Sequence, residues 1–210
     1  MAIHISRDVE KLQGVPNYSL LPITTCDRGP GCTRPRPGAK GRPAPKCPQC
    51  YGVKAVATYP ETRKAWTENT EAADNPQRFF GRLSGWFDFQ DVTPEWFRIH
   101  VVGDCPSRSY VRETVKFCRQ HLETRFLMFT KRYSWFNAYH TLPANLVVVY
   151  SAWPGWPMKN PHNRPVAWLR DSRQPDDRIP ACAAPCPGKC EGCMVCWTLQ
   201  RGRSVVFTAH

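Results

Sequence analysis

Acidic residues are scarce in this chain: 17 Asp and Glu stand against 29 Lys and Arg, a formal net charge of +12 with a pI near 9.4. An excess of that size attracts polyanions by counterion release, so nucleic acid is an expected partner, although charge alone carries no base-reading motif. The plain alternative is a basic, solvated surface. Long apolar runs are also missing. No stretch approaches the roughly 18 residues of a membrane-spanning helix, so no membrane partner is expected. The opening residues 1–10 lack the continuous apolar segment of a secretory signal. The expected setting is therefore intracellular and reduced, where clustered cysteines mean metal or redox chemistry rather than a disulfide frame. The 11 cysteines, an odd count, also fit disulfides poorly. No internal repeat is evident.

What is present is enough for a sizeable core. Of the 210 residues 41% are hydrophobic and 12% aromatic, with 8 tryptophans, while 21 prolines imply long irregular connections. This suits one domain, or one domain with a metal-stapled appendage.

The most informative stretch is the run Cys182, Cys186, Cys190, Cys193 and Cys196, whose last three members repeat as C-x2-C-x2-C. Thiolates held this close repel one another unless a cation sits between them. That repeat is the spacing of iron–sulfur cubanes in bacterial ferredoxins, whereas zinc sites more often pair two knuckles a dozen or more residues apart. A [4Fe-4S] cluster is the first reading, zinc the second, and disulfides or free thiols the third. Cys190, Cys193 and Cys196 are the surest ligands, and the fourth is Cys186, Cys182 or an N-terminal thiol.

A second group of thiols lies early, at Cys26, Cys32, Cys47 and Cys50. It forms a second metal site, or else Cys50 joins the late cluster. Between Cys32 and Cys47 runs a Pro/Gly/basic insert, residues 33–46, with too little apolar content to fold on itself and expected to be mobile.

Between these groups the pattern is α/β. Residues 61–73 are expected to be helical, and Asn75 with Pro76 reads as the cap and first residue of a second helix carrying Phe79, Phe80, Leu83, Trp86 and Phe87 on one face. Strands are expected over residues 97–102, 125–130, 146–150 and 204–208. The first two are separated by a helix over 109–122 that presents Val111, Val115, Cys118 and Leu122, and a short helix is expected near 134–140. Apolar strands alternating with helices read as parallel strands buried on both faces. Three strands put polar groups at their carboxyl ends, namely Gly103-Asp104-Cys105, Thr130-Lys131-Arg132 and Ser151, the edge where parallel α/β proteins bind ligands. Asp104, Lys131 and Arg132 are candidate catalytic or ligand-holding residues, weighed against a simple ion pair between Asp104 and Lys131. His100, expected inside its strand, is a further candidate, weighed against a core histidine.

With these residues in hand the chain resembles the gene-product-88 family of bacteriophages and mobile elements. The resemblance rests on Thr25-Cys26 with Cys32 and Cys50-Tyr51, on Ile99-His-Val-x-Gly103-Asp104, and on Phe129-Thr130-Lys131-Arg132-Tyr133. Cys190-x2-Cys193-x2-Cys196-Trp197 and Val206-Phe-x2-His210 add to it. It implies a phage-type protein in the cytoplasm of an infected host cell, with a partial parallel (β/α) barrel of radical-SAM-like kind and no known reaction. Cys186-x3-Cys190-x2-Cys193 also has the spacing that in radical-SAM proteins leaves one iron open to S-adenosylmethionine. It lies near the C-terminus, however, where no barrel could follow it. The longer insert before Cys47 departs from the family's tighter spacing.

The expected organisation is a single domain over 1–210: a cysteine-bearing segment over 1–58, an α/β core over 59–180, and a cluster loop with a final strand over 181–210. The functional expectation is an iron–sulfur protein, with redox or radical-SAM-like enzyme chemistry. The alternative is a zinc- or cluster-stapled nucleic-acid-binding protein without catalysis.

Overall fold

The computed structural model describes residues 3–7, 9–26, 50–152, 157–171 and 176–208. Cys32, Cys47, the insert 33–46 and His210 lie outside the described residues.

Three helices come first: α1 (Tyr51–Thr58), α2 (Pro60–Ala73) and α3 (Pro76–Asp88). The chain then runs through β1 (Trp96–Ile99), α4 (Arg108–Gln120), β2 (Arg125–Thr130), a short α5 (Tyr133–Phe136) and β3 (Leu146–Ala152). It ends with β4 (Val166–Arg170), β5 (Ala184–Pro185), a 3-10 turn over Val195–Thr198 and β6 (Ser204–Thr208). The helix starts follow local chemistry. Pro60 and Pro76 open α2 and α3, where a missing N–H costs nothing. The Asn75 side chain accepts the Arg78 N–H at 3.1 Å, and Ser107 caps α4 by accepting from Tyr110 at 3.1 Å.

All strand pairs are parallel, in the order β1-β2-β3-β4-β6-β5. Residues 16–20 extend this order beyond β1: Arg98 N–H donates to Pro16 O at 3.0 Å, Val101 N–H to Tyr18 O at 3.1 Å and Leu20 N–H to Val102 O at 3.0 Å.

Alternation along each strand sends neighbouring side chains to opposite faces. One face carries Phe97, Ile99, Phe126, Met128, Val148 and Tyr150, packed on the apolar sides of α3, α4 and α5. Burial of Phe79, Phe80, Leu83 and Phe87 on α3 and of Val111, Val115 and Cys118 on α4 accounts for the helical periodicity in the sequence. The other face carries Leu127, Val149, Ala167 and Val205. It is covered by Leu12, Val15, Trp197 and the half-buried Cys186, Cys190, Met194 and Cys196 rather than by helices.

Several expectations change. β1 stops at Ile99 rather than at residue 102, because His100 takes φ 52°, a left-handed conformation that breaks the pleat. Leu122 is not on the buried face of α4. That helix ends at Gln120, and Leu122 is 68% exposed. The helices α1 and the strands β4 and β5 were not foreseen; β4 is a five-residue run straight after Pro165 and β5 is a two-residue edge strand.

Candidate functional site

The late thiols lie on the sheet face that has no helices. β5 pairs with β6 and leads into Cys186, whose N–H donates to Val206 O at 2.8 Å. The loop then crosses to the N-terminal segment, where the Cys190 N–H donates to Lys11 O at 2.8 Å. It turns tightly through Gly188 (φ 87°), Gly192 (φ 69°) and Met194 (φ 46°), with the Cys193 and Met194 N–H groups both directed to Cys190 O. The Gly188 N–H points to the Cys186 sulfur at 3.4 Å. Trp197 closes the loop; it is 1% exposed, donates from its indole to Phe97 O at 3.4 Å and sits edge-on to Trp96 at 6.1 Å.

Cys190 and Cys196 are each electrostatic neighbours of Cys186 and Cys193, and both feel the charge of Arg98. Burial pushes the Cys196 thiol up to about 12, with the neighbouring thiols adding and the Arg98 guanidinium opposing. Burial also raises Cys190, against Arg98 and Lys11. As bare thiols these two stay protonated near neutrality, and a cation among them is what would hold them as thiolates. Cys182 is exposed and stands apart in burial from the other four, which are half-buried.

Arg98 extends from β1 onto this face. Its guanidinium lies over the Phe129 ring at 4.0 Å, and its Nε donates to His100 O at 3.1 Å. Burial lowers its pKa to about 10, while the charges of Tyr51, Cys196 and Cys190 support its protonated form. Among the described residues no carboxylate forms an ion pair with it. The residue as a whole is half-buried, and an arginine drawn this far out of water normally has an anionic partner. Here the groups of opposite potential charge are thiols and a phenol. Sequence reasoning missed Arg98. Its signal is an arginine in alternation with Phe97 and Ile99 on an otherwise apolar strand.

The strand-end residues form a separate network. The Asp104 carboxylate accepts from the Thr130 hydroxyl and the Cys105 N–H, both at 2.7 Å, and from the Lys131 backbone N–H at 2.8 Å. The Lys131 main-chain N–H joins the ends of β1 and β2 through this carboxylate, and the charge of Lys131 also acts on it. Burial nevertheless raises the Asp104 pKa against those donors. The Arg132 guanidinium reaches Thr25 O at 2.7 Å and Cys105 O at 3.2 Å and lies over Trp135, tying the lead-in segment to both strand ends. Gly103 (φ 86°) permits this closure, since a Cβ there would meet Leu20 O at 2.8 Å and the Thr25 hydroxyl at 2.9 Å. At the end of β3, Ser151 O accepts from the Tyr133 hydroxyl. His100 turns into the core, where its Nε2 bonds Tyr110 at 2.9 Å.

Of the early thiols, Cys26 and Cys50 are described, and both are half-buried. Burial, with the charge of Asp104 next, pushes Cys26 up to about 11, and Cys50 adds to the effect. Cys26 thus neighbours the Asp104 network. Tyr51 donates its hydroxyl to Val101 O at 2.7 Å and neighbours Arg98, so the start of α1 lies between the strand ends and the late thiols.

These observations define a mixed α/β protein with an all-parallel sheet, helices on one face and a thiol-rich loop on the other. The gene product 88 family model matches residues 5–153, and the chain belongs to that family. The match includes Cys26, Cys50, Asp104 and Lys131 and ends before the late cysteine run. No curated protein and no solved structure matches the chain.

Proposed function

We propose that this is an iron–sulfur protein in which Cys186, Cys190, Cys193 and Cys196 hold a [4Fe-4S] cluster against the helix-free face of the sheet. One observation carries the reading: Cys190 and Cys196, each an electrostatic neighbour of Cys186 and Cys193, both face the charge of Arg98, a half-buried arginine that forms no ion pair with a carboxylate among the described residues. A [4Fe-4S] centre with four thiolate ligands is anionic in its common oxidised state, and Arg98 is placed to offset that charge. The spacing favours iron–sulfur over a closed zinc site. Sulfurs around tetrahedral zinc stand about 3.8 Å apart, from Zn–S bonds near 2.3 Å. Among the described residues, no three thiols of the run have sulfurs all within 4.8 Å. A cubane needs a wider ring of thiolates because four irons stand between them.

The residues present supply further features that suit such a centre. The Gly188 N–H directed at the Cys186 sulfur and the apolar surround of Trp197, Phe129 and Val149 are the hydrogen bonding and burial that tune cluster potentials. When bound, such a cluster supplies one-electron chemistry. The all-parallel sheet supports a partial barrel of radical-SAM-like kind, with the Asp104 and Arg132 network at its strand-end rim. With Cys186 as the fourth ligand the role is electron transfer. A cluster held by three thiols would leave an iron for S-adenosylmethionine.

The test is anaerobic purification of the full chain with iron, sulfide and zinc analysis. The expected result is four irons and four sulfides per chain, as a [4Fe-4S] centre requires, lost in Cys193→Ala and kept in Cys182→Ser. Stoichiometric zinc under iron-replete conditions, together with salt-dependent DNA or RNA binding, would replace this reading with a metal-stapled binding protein.

A further inference from the structure

The segment that leaves β1 contains a second group of metal-ligating side chains, separate from the cysteine run. His100 (φ 52°) and Gly103 (φ 86°) both take left-handed backbone, and the tight path they impose folds His100, Asp104 and Cys105 back on one another. A ring nitrogen of His100, a carboxylate oxygen of Asp104 and the sulfur of Cys105 all lie within 4.8 Å of one another. The three residues are 2%, 4% and 0% exposed. Among the described residues they are the one set of three His, Cys, Asp or Glu side chains with ligand atoms that close.

We propose that His100, Asp104 and Cys105 form a mononuclear site for a borderline divalent cation of the zinc, cobalt(II) or iron(II) class. This inference does not rest on the iron–sulfur reading, because it shares no ligand with it.

Four features support it. The first is charge. Asp104 is a buried carboxylate that forms no direct ion pair among the described residues, although the charge of Lys131 acts on it. A thiolate, a carboxylate and a neutral imidazole around a divalent cation sum to zero, which removes most of the cost of burying them. The second is an orphaned atom. His100 Nδ1 is buried and has no hydrogen-bond partner, an uncommon condition for a buried polar group. The third is outer-shell support, which metal-binding imidazoles and carboxylates characteristically have. The His100 Nε2 is held by the Tyr110 hydroxyl at 2.9 Å, which meets the Tyr18 hydroxyl at 2.5 Å, and Asp104 is fixed by Thr130 and two backbone N–H groups. The fourth is the donor set. One sulfur, one nitrogen and one oxygen suit borderline transition metals and not calcium or magnesium, which take oxygen ligands.

Binding exchanges a proton for the metal. The Cys105 S–H bond breaks, the sulfur keeps the electron pair and bonds the cation, and the proton passes to buffer; no electron changes hands. With three protein ligands a fourth position remains for a water or substrate oxygen, the arrangement of catalytic rather than structural zinc. Its place beside the strand-end rim is where parallel α/β proteins carry chemistry.

The experiment is cadmium-113 NMR of the full-length, metal-stripped chain, titrated anaerobically with cadmium(II). The expected spectrum contains a resonance for a site with one thiolate and mixed nitrogen and oxygen ligands, resolved from any thiolate-rich site. Cys105→Ala should abolish that resonance, and Cys193→Ala should leave it while removing thiolate-rich signal. A wild-type spectrum with thiolate-rich resonances alone overturns the proposal, and needs no variant to fold. So does a folded Cys105→Ala that keeps the one-thiolate resonance. Failure of the iron–sulfur reading would show instead as a chain that holds no iron while the one-thiolate resonance persists.

Discussion

The guanidinium of Arg98 lies 4.0 Å from the centre of the Phe129 ring, a stacking contact between β1 and β2 on the face that carries the late thiols. The ring holds the cation in place by cation–π attraction without neutralising it. Its positive charge therefore remains available to the sulfurs of Cys190 and Cys196.

Replacing Arg98 by Met should make the proposed cluster harder to reduce, because an added electron loses a nearby positive charge. Potentiometric titration should show a more negative reduction potential and faster iron loss. Arg98→Lys should lie between, since it keeps the charge and loses the planar fork. The iron-free chains should differ in stability by no more than about 1–2 kcal/mol, because an apolar residue often replaces a buried charge without loss. An unchanged potential in Arg98→Met would remove Arg98 from the account of the cluster.

Trp197 anchors the loop independently of metal, through burial against Leu127 and Val149 and its bond to Phe97 O. Trp197→Ala should cost about 3–5 kcal/mol in denaturant unfolding. Hydrogen exchange should show β6 opening together with the loop, because β5 and Cys186 are bonded to that strand. Trp197→Phe should cost less, keeping much of the apolar contact and losing the indole donor.

His121 follows the last residue of α4, with its ring packed on Phe117 at 4.5 Å and Phe87 at 4.8 Å and its Nε2 3.0 Å from the Ser84 hydroxyl. Burial lowers its pKa below the ordinary 6.5, against the pull of Asp88 and Glu123. The unfolded chain therefore takes up a proton that the folded chain resists, so stability falls as pH drops below about 6.5 and towards the lowered value. His121→Gln should flatten the denaturation midpoint over that window relative to wild type. The difference should stay below about 1 kcal/mol, because the ring is partly exposed and solvent screens it.

Much of the helical layer was legible from the chain alone. Asn75-Pro76 and the spacing of Phe79, Phe80, Leu83 and Phe87 define α3, because capping and a 3.6-residue period are local properties. The strands over 125–130 and 204–208 were equally plain as apolar runs. Leu122 misled because it continues the period of α4 after the helix has ended. β4 and β5 were missed because five and two residues give a periodicity test too little to measure.

The candidate site was legible only in part. Spacing by itself singled out Cys190, Cys193 and Cys196, and the alternation of apolar strands with helices determined that the sheet is parallel. Both are written in neighbouring residues. Tertiary structure alone decided that the cysteine run lies over Arg98, that Asp104 joins two strand ends through Thr130 and the Lys131 N–H, and that His100 leaves its strand to meet Asp104 and Cys105. Each of these depends on pairing between distant segments or on a left-handed turn at one residue. Local composition does not encode such contacts, because their energy comes from burial that exists only once β1, β2 and the C-terminal loop have come together.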